Sequence, residues 1–230
     1  MNDGLDALAT KRQRWVDANR ENVFEEGIKR LLTELYPDNA HFIYELLQNA
    51  EDTRASVARF TLSEKLLHFE HNGQRVFSLS DVNSITSIGV STKRDDPTCI
   101  GKFGVGFKAV FAYTNTPVIR SGGYHFRIRD LVVPEAVGRH STGTKETVFT
   151  FPFDHHQKNV RRAGQEVSEG LKALGENTLL FLRSIRKIEY LMPDGALGSQ
   201  ERIEHGDGHI EIRSTNPSGT EMLSHWLRFQ

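Results

Sequence analysis

The chain has 230 residues, which at roughly 150 residues per domain leaves room for one large domain or two small ones. Hydrophobic residues make up 37 % and charged residues 26 %, which excludes a disordered chain and lets a single sizeable core form without staples. Twenty-nine basic against thirty acidic residues give a formal charge of −1, so the strongly basic surface that non-specific nucleic-acid binding needs is absent.

From Leu5 to about Asp52 the pattern is helical. Phe24, Ile28, Leu31, Leu32 and Leu35 recur at three- and four-residue spacing, Tyr36-Pro37-Asp38 breaks the run, and a second amphipathic segment follows from about Asn39 to Asp52. The period then changes to that of strands at Val57–Leu62 and Leu66–His71, with turn chemistry at Asn72-Gly73. Ser80 and Asp81 read as the start of a short helix through Ile85 and Ile88. A polar segment, Gly89 to Thr98, leads into the glycine-rich string Ile100–Phe107. Strands are expected at Pro117–Arg120, Tyr124–Ile128 and Thr147–Phe151, a helix at Val160–Leu174, and strands at Ile185–Tyr190, Arg202–His205, His209–Arg213 and Glu221–Arg228. Helices followed by many short strands argue for an α+β fold with a mixed or antiparallel sheet. The last residues, Trp226 to Gln230, fall within an expected strand, so the chain is read as a fragment of something longer.

Cys99 is the only cysteine, so neither an internal disulfide nor a Cys₂ or Cys₄ zinc site can be built. The N-terminus lacks a basic segment followed by an apolar run, and no apolar stretch approaches the ~18 residues of a membrane span. A cytoplasmic unit without a membrane partner is expected.

Several constellations could carry chemistry. In Glu45-Leu46-Leu47-Gln48-Asn49-Ala50-Glu51-Asp52, Ile43, Leu46, Leu47 and Ala50 form an apolar stripe. Glu45, Asn49 and Asp52, at i, i+4 and i+7, lie within about 60° of one another on a different face. Glu45 could polarise a water, and the Asn49 carbonyl oxygen could ligate Mg²⁺, which prefers oxygen ligands; a solvated polar face is the plainer reading of the same residues. In the string Gly101-Lys102-Phe103-Gly104-Val105-Gly106-Phe107, the glycines permit close approach, and the helix after them would aim unpaired N–H groups at a phosphate. No P-loop pattern occurs, and the relaxed dinucleotide pattern Gly104–Ala109 lacks the strand it needs just before it. Gly143-Thr144 precedes a strand. Last, His205-Gly206-Asp207-Gly208-His209 could hold a metal ion, but Asp-Gly is turn chemistry and no third ligand is evident in sequence, which favours a hairpin tip with exposed histidines. His155-His156 is a similar, weaker pair.

Taken in order, these pieces resemble the GHKL ATPase superfamily of gyrase B, the ninety-kilodalton heat-shock chaperones, histidine kinases and MutL. Glu45-x₃-Asn49-x₂-Asp52 resembles its N-box, Ile100–Phe107 its phosphate-binding glycine loop, and Thr144 its adenine-side threonine, with a polar lid between. Tyr36–Asp52 and Ser91–Pro97 are similar to the sacsin-like, NO VEIN-like branch. One departure stands out. The family's Asp-x-Gly-x-Gly, whose aspartate accepts from the adenine amino group, aligns with His71-Asn72-Gly73-Gln74-Arg75, so histidine replaces aspartate and Arg75 replaces the second glycine.

The resemblance implies a two-layer α/β sandwich of mixed, mostly antiparallel sheet with helices on one face. It implies one ATP-binding domain over 1–230: a helical extension at 1–35, the core motifs at 36–155, and a C-terminal helix and strands at 156–230. ATP and Mg²⁺ are the implied cofactors, with Glu45 as general base and Asn49 as metal ligand. Asp52, His71, Gly73, Thr144 and the string Gly101, Lys102, Phe103, Gly104, Val105, Gly106 and Phe107 would bind the nucleotide, and Lys93 or Lys102 would supply positive charge. Relatives take a further cation from a following domain, so slow hydrolysis, downstream domains of the same polypeptide as partners, and a nucleotide-dependent dimer are expected. The alternative is a nucleotide-sensing switch that binds without hydrolysis. The segment Asn83–Ile100 is expected to be a mobile lid.

Overall fold

Strict alternation along β1 (Val57–Leu62) and β2 (Leu66–His71) turns Ala58, Phe60, Leu62, Leu67, Phe69 and His71 to one buried face, as the two-residue period of a strand requires. The computed structural model describes residues 2–20, 27, 40–88, 106–138 and 145–228. Among them a ten-stranded sheet runs in the order β10-β9-β8-β7-β1-β2-β6-β3-β4-β5. Its further strands are β3 (Val118–Ser121), β4 (Tyr124–Arg129), β5 (Val133–Ala136), β6 (Thr147–Pro152), β7 (Lys187–Leu191), β8 (Leu197–Gly206), β9 (His209–Thr215) and β10 (Glu221–Leu227). β1 and β7 pair in parallel, and the other neighbours are antiparallel.

The helices are α1 (Asn2–Asn19), α2 (Phe42–Asp52), α3 (Leu79–Ile85), α4 (Val160–Lys172) and α5 (Asn177–Phe181), with a 3₁₀ helix at Gly106–Ala112. α2 buries Phe42, Ile43, Leu46, Leu47 and Ala50, and α4 buries Ala163, Val167 and Leu171. These meet the buried sheet face in one core, the α+β, mostly antiparallel architecture expected from the sequence. No described helix is long and apolar enough to cross a membrane.

Several details differ from the sequence reading. Asn72-Gly73 closes no hairpin: β1 and β2 are joined by Ser63–Lys65, and the Asn72 side-chain oxygen instead accepts from the backbone N–H groups of Ser56 and Val57, both at 2.9 Å. The short helix starts at a Ser78 cap, because the Ser78 hydroxyl and the Asp81 carboxylate satisfy each other's backbone in a capping box. β5 escapes the sequence reading because Pro134 argues against a strand; it is tolerated at the edge of the sheet. α5 is only five residues long, too short for a helical period to show. The expected helix carried by Phe24, Ile28, Leu31, Leu32 and Leu35 lies outside the described residues.

Candidate functional site

The apolar stripe of α2 fixes its rotation against the sheet, and this sets where its polar face points. Glu45 is largely covered, with its side chain 18 % exposed, and Oε1 stands 3.8 Å from the His41 ring one turn earlier. Its carboxylate lies directly on the backbone of Gly106: a methyl group at position 106 would sit 1.8 Å from Oε2 and 2.5 Å from Cδ. Only glycine leaves that space. The fold therefore joins the first and second constellations at one point. Asn49 and Asp52 follow on the same face of α2. The helix is anchored by Glu51, which is buried and accepts from the backbone N–H groups of Arg183 (2.9 Å), Ser184 (2.7 Å) and Ile185 (3.0 Å). Glu51 thereby ties α2 to the start of β7.

Beyond Gly106 the 3₁₀ helix is set by its own side chains. Phe107 packs on Phe149 and Phe151, with ring centroids 6.0 and 6.3 Å away, so only its backbone is left for the glycine string. Lys108 is buried, donates to the carbonyls of Ile85 (2.8 Å) and Leu131 (2.6 Å), and lies over the Phe111 ring. Burial pushes its ammonium down to about 7. Lys108 thus locks the end of α3 to the end of the glycine string. α1 adds a second lock, since Arg12 donates to the Asn83 side-chain oxygen (3.0 Å) and to Ser87 (2.5 Å). Thr86 and Ser87 are buried, so the first part of the expected lid, Asn83–Ile88, is hydrogen-bonded to α1 and partly packed. The rest of the expected lid, residues 89–100, lies outside the described residues.

At the other end of α2, Thr53 meets the turn after β2. A methyl group at position 73 would sit 2.1 Å from the Thr53 hydroxyl oxygen. His71 is buried, stacked on Phe149 at 6.2 Å, and its Nδ1 accepts from the Gly73 N–H at 3.2 Å. The Thr53 hydroxyl spends its proton on the Ala50 carbonyl at 2.7 Å. Because Nδ1 accepts, the neutral ring carries its proton on Nε2. Burial pushes the imidazole down to about 4, so it stays neutral near pH 7.

The structure thus brings Glu45 to Gly106 and places Asp52, at the far end of the same helix, next to Thr53, which contacts Gly73. Lys93, Gly101, Lys102, Phe103, Gly104, Val105 and Thr144 lie outside the described residues. Sequence reasoning missed Lys108 and Glu51. A lysine after a glycine string and a glutamate beside Asp52 both read as solvent-facing, and no local signal marks either as buried. Among the described residues, no group of three or more His, Cys, Asp or Glu side chains is arranged to hold a metal ion.

Residues 67–146 match the family model described as Sacsin domain. The chain is 31 % identical over 129 residues to Protein NO VEIN of Arabidopsis thaliana, an alignment covering 54 % of this chain and 5 % of that protein. It is 33 % identical over 105 residues to Sacsin of Homo sapiens, covering 38 % and 2 %. The chain therefore spans a twentieth or less of the length of these relatives. Among solved structures it is similar to the B-subunit of the DNA gyrase from Myxococcus xanthus, with a TM-score of 0.52 at 10 % identity, covering 83 % of this chain and 66 % of that one. The chain has a sacsin-like GHKL fold. The Glu45–Gly106 contact falls between α2 and the end of the glycine string, whereas His71 and Gly73 lie past the other end of that helix, beside Thr53.

Proposed function

We propose that this sacsin-like domain is an Mg²⁺-dependent ATP-binding module that hydrolyses ATP slowly and works as one part of a larger sacsin-like or chaperone-like protein. The observation that carries the reading is the Glu45 carboxylate seated on Gly106, which supports a proton acceptor beside the end of the glycine string that would cradle the phosphates. The donor chemistry suits the metal. Glu45, Asn49 and Asp52 offer oxygen, and Mg²⁺ takes one or two protein oxygens while the phosphates and waters complete its shell, so no cage of three protein ligands is needed. When bound, Mg²⁺ neutralises charge on the phosphate oxygens.

In this reading Glu45 takes a proton from the attacking water, and Asn49 would hold the metal through its side-chain oxygen. The backbone of Gly101 to Phe107 donates to the phosphates, with Lys93 or Lys102 adding charge. Thr144, His71 and Gly73 face the base. Phosphoryl transfer depends mainly on positioning and charge neutralisation, so a cation from a downstream domain, and a nucleotide-dependent dimer that could present one, would raise the rate. A second reading, a nucleotide-sensing switch that binds without hydrolysis, is favoured by His71. Its Nε2–H is a donor, so it offers no acceptor to an adenine amino group.

Calorimetry and a phosphate-release assay on the whole chain separate these readings. The parent should bind Mg²⁺–ATP and turn it over slowly. Glu45→Ala should bind within about threefold of the parent while losing turnover about a hundredfold, because a general base acts on water and adds little ground-state affinity. Asn49→Ala should lose the Mg²⁺-dependent part of binding. Absence of binding by the parent would sink the module altogether, binding without turnover would favour the switch, and parent-rate hydrolysis by Glu45→Ala would remove Glu45 from its role.

A further inference from the structure

Two strands bound the sheet, and their edges are finished differently. β5 is four residues long, carries Pro134, is packed by α1, and has Glu135 held by Arg127 and Arg129. A short strand, a proline, charge and a covering helix are devices that keep an edge from pairing. β10, at the opposite edge, has none of them. Its seven residues, Glu221–Leu227, contain neither proline nor lysine and follow β9 in unbroken register. Among the described residues no strand lies beyond it. Met222, Leu223, Trp226 and Leu227 are exposed, by 55, 58, 39 and 65 %. The Arg228 N–H donates to the Gly208 carbonyl at 2.8 Å, and the Thr220 carbonyl accepts from the Asn216 N–H at 3.0 Å. Backbone groups alternate sides along an antiparallel strand, so Ser224 and the other even-numbered residues turn theirs to β9. Glu221, Leu223, His225 and Leu227 turn theirs away from it, to the open edge.

We propose that β10 pairs antiparallel with β10 of a second copy of this chain, about a two-fold axis at Ser224. The strand is self-complementary in that register. Glu221 pairs with the partner's Leu227 and Leu223 with the partner's His225, so every outward N–H and C=O of the strand finds a mate. The nearest registers that still join outward groups put the axis at Leu223 or His225. The first leaves Leu227 outside the strand pair; the second leaves Glu221 outside it and sets His225 against itself. About Ser224 no like charges are opposed. On the face shared with Ile210 and Ile212, Met222 lies opposite the partner's Trp226, an aromatic–aliphatic cross-strand pair. A strand pair of this length buries roughly 1,000 Å² in total, the weak end of specific interfaces, so the dimer is micromolar and concentration-dependent. It needs no nucleotide and is independent of the nucleotide reading and of the dimer proposed with it.

Sedimentation velocity of the whole chain over a concentration series tests this. The expected result is a monomer–dimer equilibrium with Kd of about 1–100 μM, unchanged by Mg²⁺–ATP. Leu223→Pro removes an outward N–H that β9 does not use, and Ser224→Lys sets like charges opposite each other at the axis. Each should weaken the dimer at least about tenfold. Phe181→Ser, at a side chain 78 % exposed on α5, should leave it unchanged. Oxidative cross-linking in a Cys99→Ser background reads the register. Ser224→Cys should link two copies, because residues facing across a non-hydrogen-bonded pair stand about 4.5 Å apart, within disulfide reach. Met222→Cys, opposite the partner's Trp226, should not. A chain that stays monomeric to about 1 mM, whether its edge pairs with a different protein or with nothing, overturns the proposal. So does a dimer that both Leu223→Pro and Ser224→Lys leave intact; if one variant misfolds, the other and the cross-link decide.

Discussion

At the Glu45 end of α2 a carboxylate rests on the backbone of Gly106, whereas past its C-terminal end, beside Thr53 and Gly73, the buried group is a neutral imidazole. In the proposed reading, the first end offers what a phosphate and its metal require, carboxylate and amide oxygens beside a glycine. The second replaces an acceptor by a ring whose accepting nitrogen is already taken. On that reading, one helix therefore has a phosphate side that keeps the residue types of the family pattern and a base side that departs from it. The two ends should respond differently to acid, to added side-chain volume and to substitution.

The largest expected difference is with pH. His71 titrates near 4 in the folded chain because it is buried, against about 6.5 when unfolded. Between those values the unfolded chain binds more protons, so this contribution is fully present above pH 6.5 and is lost as pH falls through about 4, on the order of 3 kcal/mol in all. His71→Asn keeps an acceptor for the Gly73 N–H without the titration. Urea unfolding at pH 7 and at pH 4.5 should show a smaller acid loss for His71→Asn than for the parent. Equal losses would show that His71 is not the buried neutral group described.

Next comes volume at the other end. Gly106→Ala places a methyl group where Glu45 Oε2 now lies, so the carboxylate must leave the end of the glycine string. Turnover should fall about a hundredfold, as for loss of a positioned base, with the unfolding midpoint little changed, since Glu45 can turn toward solvent. Phosphate release and a melt check both halves, and parent-like turnover would separate the Glu45–Gly106 contact from catalysis.

How far the sequence disclosed these two ends follows from the range of the interactions involved. α2 was legible because Ile43, Leu46, Leu47 and Ala50 repeat at the helical period, and β1 and β2 because their burial alternates. The joining of Glu45 to Gly106 was legible only through resemblance, since 61 positions separate them and no local pattern predicts the contact. The three backbone N–H groups that hold Glu51 come from residues more than 130 positions away. Lys108 could not be read either. Its partners are two carbonyls, which leave no trace in side-chain composition. The partners of Asn83–Ile88 were hidden for a similar reason: the polar residues suggested exposure, but Arg12 of α1, some seventy positions away, hydrogen-bonds Asn83 and Ser87.

The smallest effect, and the sharpest on the comparison, is base preference. In the proposed reading His71 faces the base with an Nε2–H, so the adenine amino group finds a donor where it needs an acceptor, and the ring offers nothing to separate ATP from an analogue carrying oxygen in place of that amino group. His71→Asp restores an acceptor. A buried site that hydrogen-bonds a ligand group discriminates against the analogue lacking it, because the unmatched polar groups are left unpaired. Affinities for ATP and inosine triphosphate, measured side by side, should therefore be near equal or favour inosine triphosphate in the parent, and swing toward ATP by about tenfold in His71→Asp, a change of about 1.4 kcal/mol. The carboxylate must also take over the Gly73 N–H that Nδ1 now accepts, which a two-oxygen acceptor can do while still reaching a ligand. Should the parent already prefer ATP tenfold, with His71→Asp no better, the base is read elsewhere and the two ends of α2 differ in sequence but not in what they recognise.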